Sequence, residues 1–128
     1  MGTKILTVDD SRVMLRIISS AIERLGYQPV IAKNGAVALE LLEEQGEEIA
    51  LVLLDWNMPV MNGLDTLKAI RAQERFQDLP VMMVTTESER TNVLEAIRAG
   101  ARHYLTKPFS PEDLVIRMME CLGLGDQL

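Results

Sequence analysis

The chain has 128 residues, 48% hydrophobic and 25% charged, which is the size and balance of one ordinary domain with a buried core. Its formal net charge of −6, with no basic stripe, argues against nucleic-acid binding, where phosphate contacts supply most of the affinity. The single cysteine, Cys121, excludes a disulfide framework and a cysteine-rich zinc site, and no apolar run approaches the ~20 residues that cross a bilayer.

The first apolar stretch, Ile5-Leu6-Thr7-Val8, is too short for the apolar region of a signal peptide. Gly2 invites a myristoylation reading, but Leu6 stands where that motif wants Ser or Thr, so a cytoplasmic location without membrane attachment is expected. Short, β-branched and apolar throughout, the stretch reads as a strand covered on both faces. Met14, Ile17, Ile18, Ala21, Ile22 and Leu25 then follow the i, i+3, i+4 spacing of a helix, with Ser11 as N-cap and Gly26 just past its end. Residues 30–32 form a weaker strand candidate, and Pro29 suggests an edge position, where a missing donor is tolerated.

A second helix is predicted from Gly35 to Gln45, with Ala38, Leu41 and Leu42 inward. Residues 49–54 are continuously apolar and read as a third buried strand. A third helix starts near Gly63 with Leu64, Leu67 and Ile70 inward, and residues 81–84 form a fourth strand. Residues 88–99 fit a fourth helix with Val93, Ala96 and Ile97 inward, and residues 101–106 a fifth strand. Ser110-Pro111-Glu112-Asp113 opens a fifth helix with an N-cap, a proline at the first position and two acids in the first turn. Cys121, among apolar residues of this helix, reads as a small hydrophobe rather than a nucleophile.

Five strand–helix units in series predict an α/β fold, an open five-stranded parallel sheet with helices on both faces. Repeats and linkers are absent, and the sequence stops shortly after the fifth helix, so a single domain over 1–128 with no output domain is expected.

Working residues of an open parallel sheet gather at the carboxyl ends of its strands. There the sequence has Asp9 and Asp10 after the first strand, Asp55 and then Trp56-Asn57-Met58-Pro59 after the third, Thr85, Thr86 and Glu87 after the fourth, and Lys107-Pro108 after the fifth. Three neighbouring carboxylates repel one another and need a cation. Hard oxygen ligands favour Mg²⁺ or Ca²⁺ over zinc. A strand-end Asp beside Mg²⁺ fits an acyl-phosphate nucleophile, with Lys107 and a threonine hydroxyl stabilising the transferred phosphoryl group. Taken singly, each residue has a plainer explanation: a turn-forming Asp, a β-branched strand residue, a solvated lysine. Their common placement at one end of the sheet carries the inference.

These residues bring the chain to a known family. Val8-Asp9-Asp10-Ser11, Leu54-Asp55-Trp56-Asn57-Met58-Pro59, Met61-Asn62-Gly63, the run from Pro80 to Thr85, Ala99-Gly100-Ala101 and Lys107-Pro108-Phe109 together resemble the receiver domains of two-component response regulators, closest to the free-standing chemotaxis type. The flavodoxin-like strand order 2-1-3-4-5 comes with that resemblance rather than from the pattern. So do the residue roles. The resemblance implies that Asp55 accepts a phosphoryl group from a histidine kinase. It implies that Asp10, Asp55 and the Asn57 backbone carbonyl bind Mg²⁺, with Asp9 acting through water. Lys107 then pairs with the phosphoryl group, the Thr85 hydroxyl moves to it with Thr86 beside it, and Tyr104 turns inward. Asn57 and Glu87 flank the hydrolytic water, and the Lys107-Pro108 peptide is cis.

The implied partners are the kinase, a flagellar motor switch component on the face of helix four, strand five and helix five, and a phosphatase. The unphosphorylated protein is expected to be a monomer. The protein is then a switch that catalyses only its own phosphorylation and dephosphorylation. Two departures stand out. Thr86 replaces a smaller alanine usual in the chemotaxis type, which predicts slower dephosphorylation. His103, the only histidine, stands where glycine is common and reads as exposed on the output face.

A phosphorelay intermediate serving a histidine phosphotransfer protein is the alternative within the class. A haloacid-dehalogenase-type phosphatase would carry its nucleophile after the first strand and a second Asp two residues on, where this sequence has Asn57 after Asp55. An FMN protein of this sheet order would want a Ser/Thr- and Gly-rich phosphate loop where Asp9 and Asp10 stand.

Overall fold

A computed structural model describes residues 2–86 and 90–124, with Arg90 described by its backbone alone. Five strands, β1 (Lys4–Val8), β2 (Gln28–Ala32), β3 (Ile49–Leu54), β4 (Val81–Thr85) and β5 (His103–Thr106), alternate with five helices. The helices are α1 (Arg12–Arg24), α2 (Gly35–Gln45), α3 (Gly63–Ala72), α4 (Arg90–Arg98) and α5 (Pro111–Cys121). The sheet is wholly parallel in the order β2-β1-β3-β4-β5, as expected.

Alternation along each strand divides the core between two faces. Leu6, Val8, Val52, Leu54 and Met83 point to the side covered by Ala38 and Leu42 of α2, Leu67 and Ile70 of α3 and Ala96 of α4. Ile5, Leu51, Leu53, Met82 and Val84 point to the side covered by Ile18 and Ile22 of α1 and Leu114 and Met118 of α5. Burial on both faces explains why β3 and β4 read as continuous apolar runs.

Side-chain caps fix where helices begin. Ser11 accepts a hydrogen bond from the Met14 N–H at 3.2 Å, Asn34 from Val37 at 2.9 Å, Asn62 from Asp65 at 2.8 Å and Ser110 from Asp113 at 3.0 Å. Gly26, at φ 85, supplies the left-handed residue after α1.

Several expectations are corrected. β2 begins at Gln28, two residues early, with Pro29 inside an edge strand whose outer side needs no donor. β5 begins at His103 rather than at 101. Ile17 and Ile97 point outward, 42% and 47% exposed. Each helix lies over only part of the sheet, so its apolar stripe is wider than the face it buries. Two short 3₁₀ turns, Gly46–Glu48 and Glu74–Phe76, carry no apolar period and escape sequence reading. The predicted start of α4 at Ser88 lies outside the described residues.

Candidate functional site

Strand register builds the site. Val8 is paired with Leu54 and with Ala32, and Thr85 with Thr106, so the strands end level. The Asp55 N–H donates to the Val8 carbonyl at 3.0 Å and the Lys107 N–H to the Thr85 carbonyl at 2.8 Å. Asp9, Asp55, Thr85 and Lys107 thereby meet at one end of the sheet.

Asp9 is almost wholly buried and Asp55 is 8% exposed, while Asp10 faces solvent. One ligand oxygen from each of the three lies within 4.8 Å of the others, the only such acidic group among the described residues. Lys107 Nζ donates to Asp9 Oδ2 at 2.9 Å and stands 3.7 Å from Asp55 Oδ2. Asp9 Oδ1 accepts from the Ser11 N–H at 2.9 Å. Burial pushes the Asp55 carboxyl up to about 6; Lys107 and the Trp56 N–H oppose the rise, and the charges of Asp9 and Asp10 reinforce it.

The donor set fits a hard divalent cation. Two buried carboxylates share one lysine with exposed Asp10 beside them, and Asp55, at the longer 3.7 Å from that lysine, holds its negative charge at a cost that an added cation would remove. Asp9 already has both oxygens engaged, which leaves Asp10 and Asp55 as the better direct ligands.

The remaining expected residues are placed as follows. Thr85 is fully buried at the end of β4, and Thr86 is exposed beyond it. Asn57 is exposed in the loop after Asp55. The Lys107-Pro108 peptide is cis. Tyr104 packs against the core beneath α2, α3 and α4, with its hydroxyl oxygen buried. Glu87 lies outside the described residues. His103 is half-buried rather than exposed: its Nδ1 accepts from the Tyr104 N–H at 3.1 Å and its Nε2 stands 3.6 Å from Glu120 on α5. Cys121 is buried and its thiol is pushed up to about 11 by burial, which disfavours the thiolate, in keeping with a core residue.

Two residues escape sequence reading. Arg71, at the end of α3, donates twice to the Gly100 carbonyl (3.1 and 2.7 Å) and once to that of Phe76 (2.7 Å), tying α3 to the turn between α4 and β5. No local pattern distinguishes it from a solvated arginine. Val60 lies in the loop between Asp55 and α3 with φ 72, and the Met61 N–H donates across it to the Pro59 carbonyl at 2.8 Å. This is the strained form of γ-turn, and holding a β-branched residue there costs on the order of 1–3 kcal/mol. The flanking Pro59 and Asn62-Gly63 signal a turn but not which residue bears the strain.

Residues 5–119 match the family described as "Response regulator receiver domain". The chain belongs to the response regulator receiver family. The receiver is 42% identical to a chemotaxis protein CheY homolog of Campylobacter jejuni over 95% of this chain and 94% of that protein. It is 44% identical to chemotaxis protein CheY1 of Helicobacter pylori over 96% and 99%. The solved structure of CheY4 of Vibrio cholerae superposes with a TM-score of 0.88 at 33% identity, covering 95% of the receiver and all of that chain. The receiver is therefore part of a two-component response regulator, a signalling switch rather than a metabolic enzyme. Among its described residues no helix is long and apolar enough to cross a membrane.

Proposed function

We propose that the protein is a free-standing chemotaxis switch in the cytoplasm, phosphorylated on Asp55 by a histidine kinase. The observation that carries this reading is the buried Asp9–Asp55 pair with exposed Asp10 beside it and one lysine within reach of both buried carboxylates. Relatives named for chemotaxis, matched over 94–99% of their own length, support the single-domain form.

In the proposed reaction an Asp55 carboxylate oxygen attacks the phosphorus of a phosphohistidine. A P–O bond forms, the P–N bond breaks, and the electron pair leaves with the imidazole nitrogen. Asp10, Asp55 and the Asn57 carbonyl would hold Mg²⁺, with Asp9 acting through water, and the bound cation would supply positive charge to offset that of the carboxylates and the phosphoryl oxygens. Lys107 exchanges its 2.9 Å contact with Asp9 for the new phosphoryl oxygens, and its ammonium offsets their charge.

Phosphorylation adds about −1.5 to −2 charge and strong acceptors. The Thr85 hydroxyl, buried at the end of β4, turns toward them. Tyr104, on the neighbouring strand and already packed inward, is stabilised there by that movement. Leu94 and Ile97 of α4 and Ile116 of α5 are exposed apolar residues that suit docking of a motor switch component on that face. Thr86 crowds the path of the hydrolytic water and lengthens the phosphorylated state.

Intact mass after incubation with acetyl phosphate tests this reading, with and without Mg²⁺ and with Asp55→Asn as control. One phosphoryl group that requires both Mg²⁺ and Asp55 is expected. Labelling that persists in Asp55→Asn would sink the assignment.

A further inference from the structure

The two most exposed large apolar side chains among the described residues are Val60, at 82%, and Val13, at 69%. Both lie on segments that leave the strand ends bearing the carboxylates. Val13 is in the first turn of α1 just after Asp10, and Val60 is in the loop that follows Asp55. Water gives an apolar side chain no return for such exposure. Val60 is also held in a left-handed backbone that a β-branched residue resists, and that Asn or Gly adopts with ease. Local stability therefore disfavours this residue twice at one position, once through exposure and once through φ. Residues strained in this way cluster at active sites, ligand clamps and switch regions.

The loop bearing Val60 is anchored to the phosphoacceptor. The Gly63 N–H donates to the Trp56 carbonyl at 2.8 Å, and any Cβ on Gly63 would strike the Asp55 carbonyl. The loop therefore starts and ends against Asp55, with Val60 between. A macromolecule that places a phosphoryl group on Asp55 must approach over the segments that follow Asp10 and Asp55, on which Val13 and Val60 stand exposed. Acetyl phosphate presents no comparable apolar surface to either.

We propose that Val60 is a specificity-determining contact for the protein phosphodonor, packing against an apolar surface beside the donor's phosphohistidine. Val13, exposed in the first turn of α1, offers the same donor a second apolar contact. The inference rests on the reading of Asp55 as phosphoacceptor, and the bonds made and broken in that transfer are unchanged by it. Val60 is not a catalytic residue; it positions the donor.

The test compares the unmodified chain with Val60→Asn and Val60→Ile in three measurements: Mg²⁺-dependent phosphorylation by acetyl phosphate, phosphotransfer from the autophosphorylated chemotaxis histidine kinase of the same organism, and the thermal midpoint. Val60→Asn relaxes the turn and removes the apolar contact. It should raise the midpoint by on the order of 3 °C, leave the acetyl phosphate rate within about twofold, and slow kinase transfer on the order of fivefold. Val60→Ile, still apolar, should transfer like the unmodified chain. A purely structural residue would move stability and transfer in the same direction. Kinase transfer to Val60→Asn at the unmodified rate, or equal slowing with both donors, would overturn the proposal while leaving Asp55 as phosphoacceptor. No labelling of the unmodified chain by acetyl phosphate would overturn the Asp55 reading, and this inference with it.

Discussion

Acidic clusters stand at both ends of the sheet, and they behave differently. At the amino end, Glu43 pairs with Arg75 at 2.6 Å and Glu48 with Lys4 at 3.2 Å, the glutamates being 71% and 55% exposed. At the carboxyl end, Asp9 and Asp55 share Lys107 with side chains 2% and 10% exposed. The charges are of one kind and similarly close to a cation. Desolvation separates them. Exposed pairs are screened and contribute little, whereas a buried carboxylate retains its cost until something compensates it. Acid count alone does not mark a site; acid count with burial does.

The largest expected effect in this contrast comes from removing the cation at each end. Lys107→Met leaves two buried carboxylates uncompensated and should destabilise the fold by about 3 kcal/mol in metal-free buffer, measured by urea unfolding at neutral pH. Arg75→Met should cost under ~1 kcal/mol. Equal losses at the two ends would break the comparison.

The Asp55 carboxyl, raised from 3.8 to about 6, gives the next largest effect. Between those values the folded chain keeps a proton that the unfolded chain has released, so stability falls as pH rises through the window and levels off above it. The total is roughly 3 kcal/mol. Subtracting the unfolding profile of Asp55→Asn isolates the contribution, and parallel profiles for the two proteins would contradict it.

Mg²⁺ sharpens the same contrast more gently. At a concentration ten times its dissociation constant, it should stabilise the fold by about 1.4 kcal/mol. The emission of Trp56, beside Asp55, should change with it, and both responses should vanish in Asp55→Asn. The smallest expected effect is that of Thr86→Ala, which opens the rim next to Thr85 and should speed loss of the phosphoryl group severalfold, about 1 kcal/mol of barrier. An unchanged lifetime would remove Thr86 from the account.

Much of the fold was legible because its determinants are local. Burial on both faces writes β3 and β4 as unbroken apolar runs, and Ser11 and Ser110 announce α1 and α5 through hydrogen bonds closed within one turn. Misreadings arose where neighbours decide. The outward turn of Ile17 and Ile97 depends on how much sheet each helix covers, and β2 includes Pro29 because its outer side is unpaired. In the site, residue types at strand ends pointed to Asp9, Asp10, Asp55 and Lys107, since parallel topology places strand ends together. Burial of Asp55, the Arg71 tether and the strain at Val60 depend on distant chain segments or on backbone angle, and no periodicity encodes them.

The most direct test of the claim that burial makes the carboxyl-end cluster a cation site is a ¹³C NMR titration of the Asp55 side chain with and without Mg²⁺. The account predicts a midpoint near 6 in metal-free buffer, in keeping with the raised carboxyl, and a clear fall when Mg²⁺ is added. A midpoint in the ordinary aspartate range, indifferent to Mg²⁺, would contradict it.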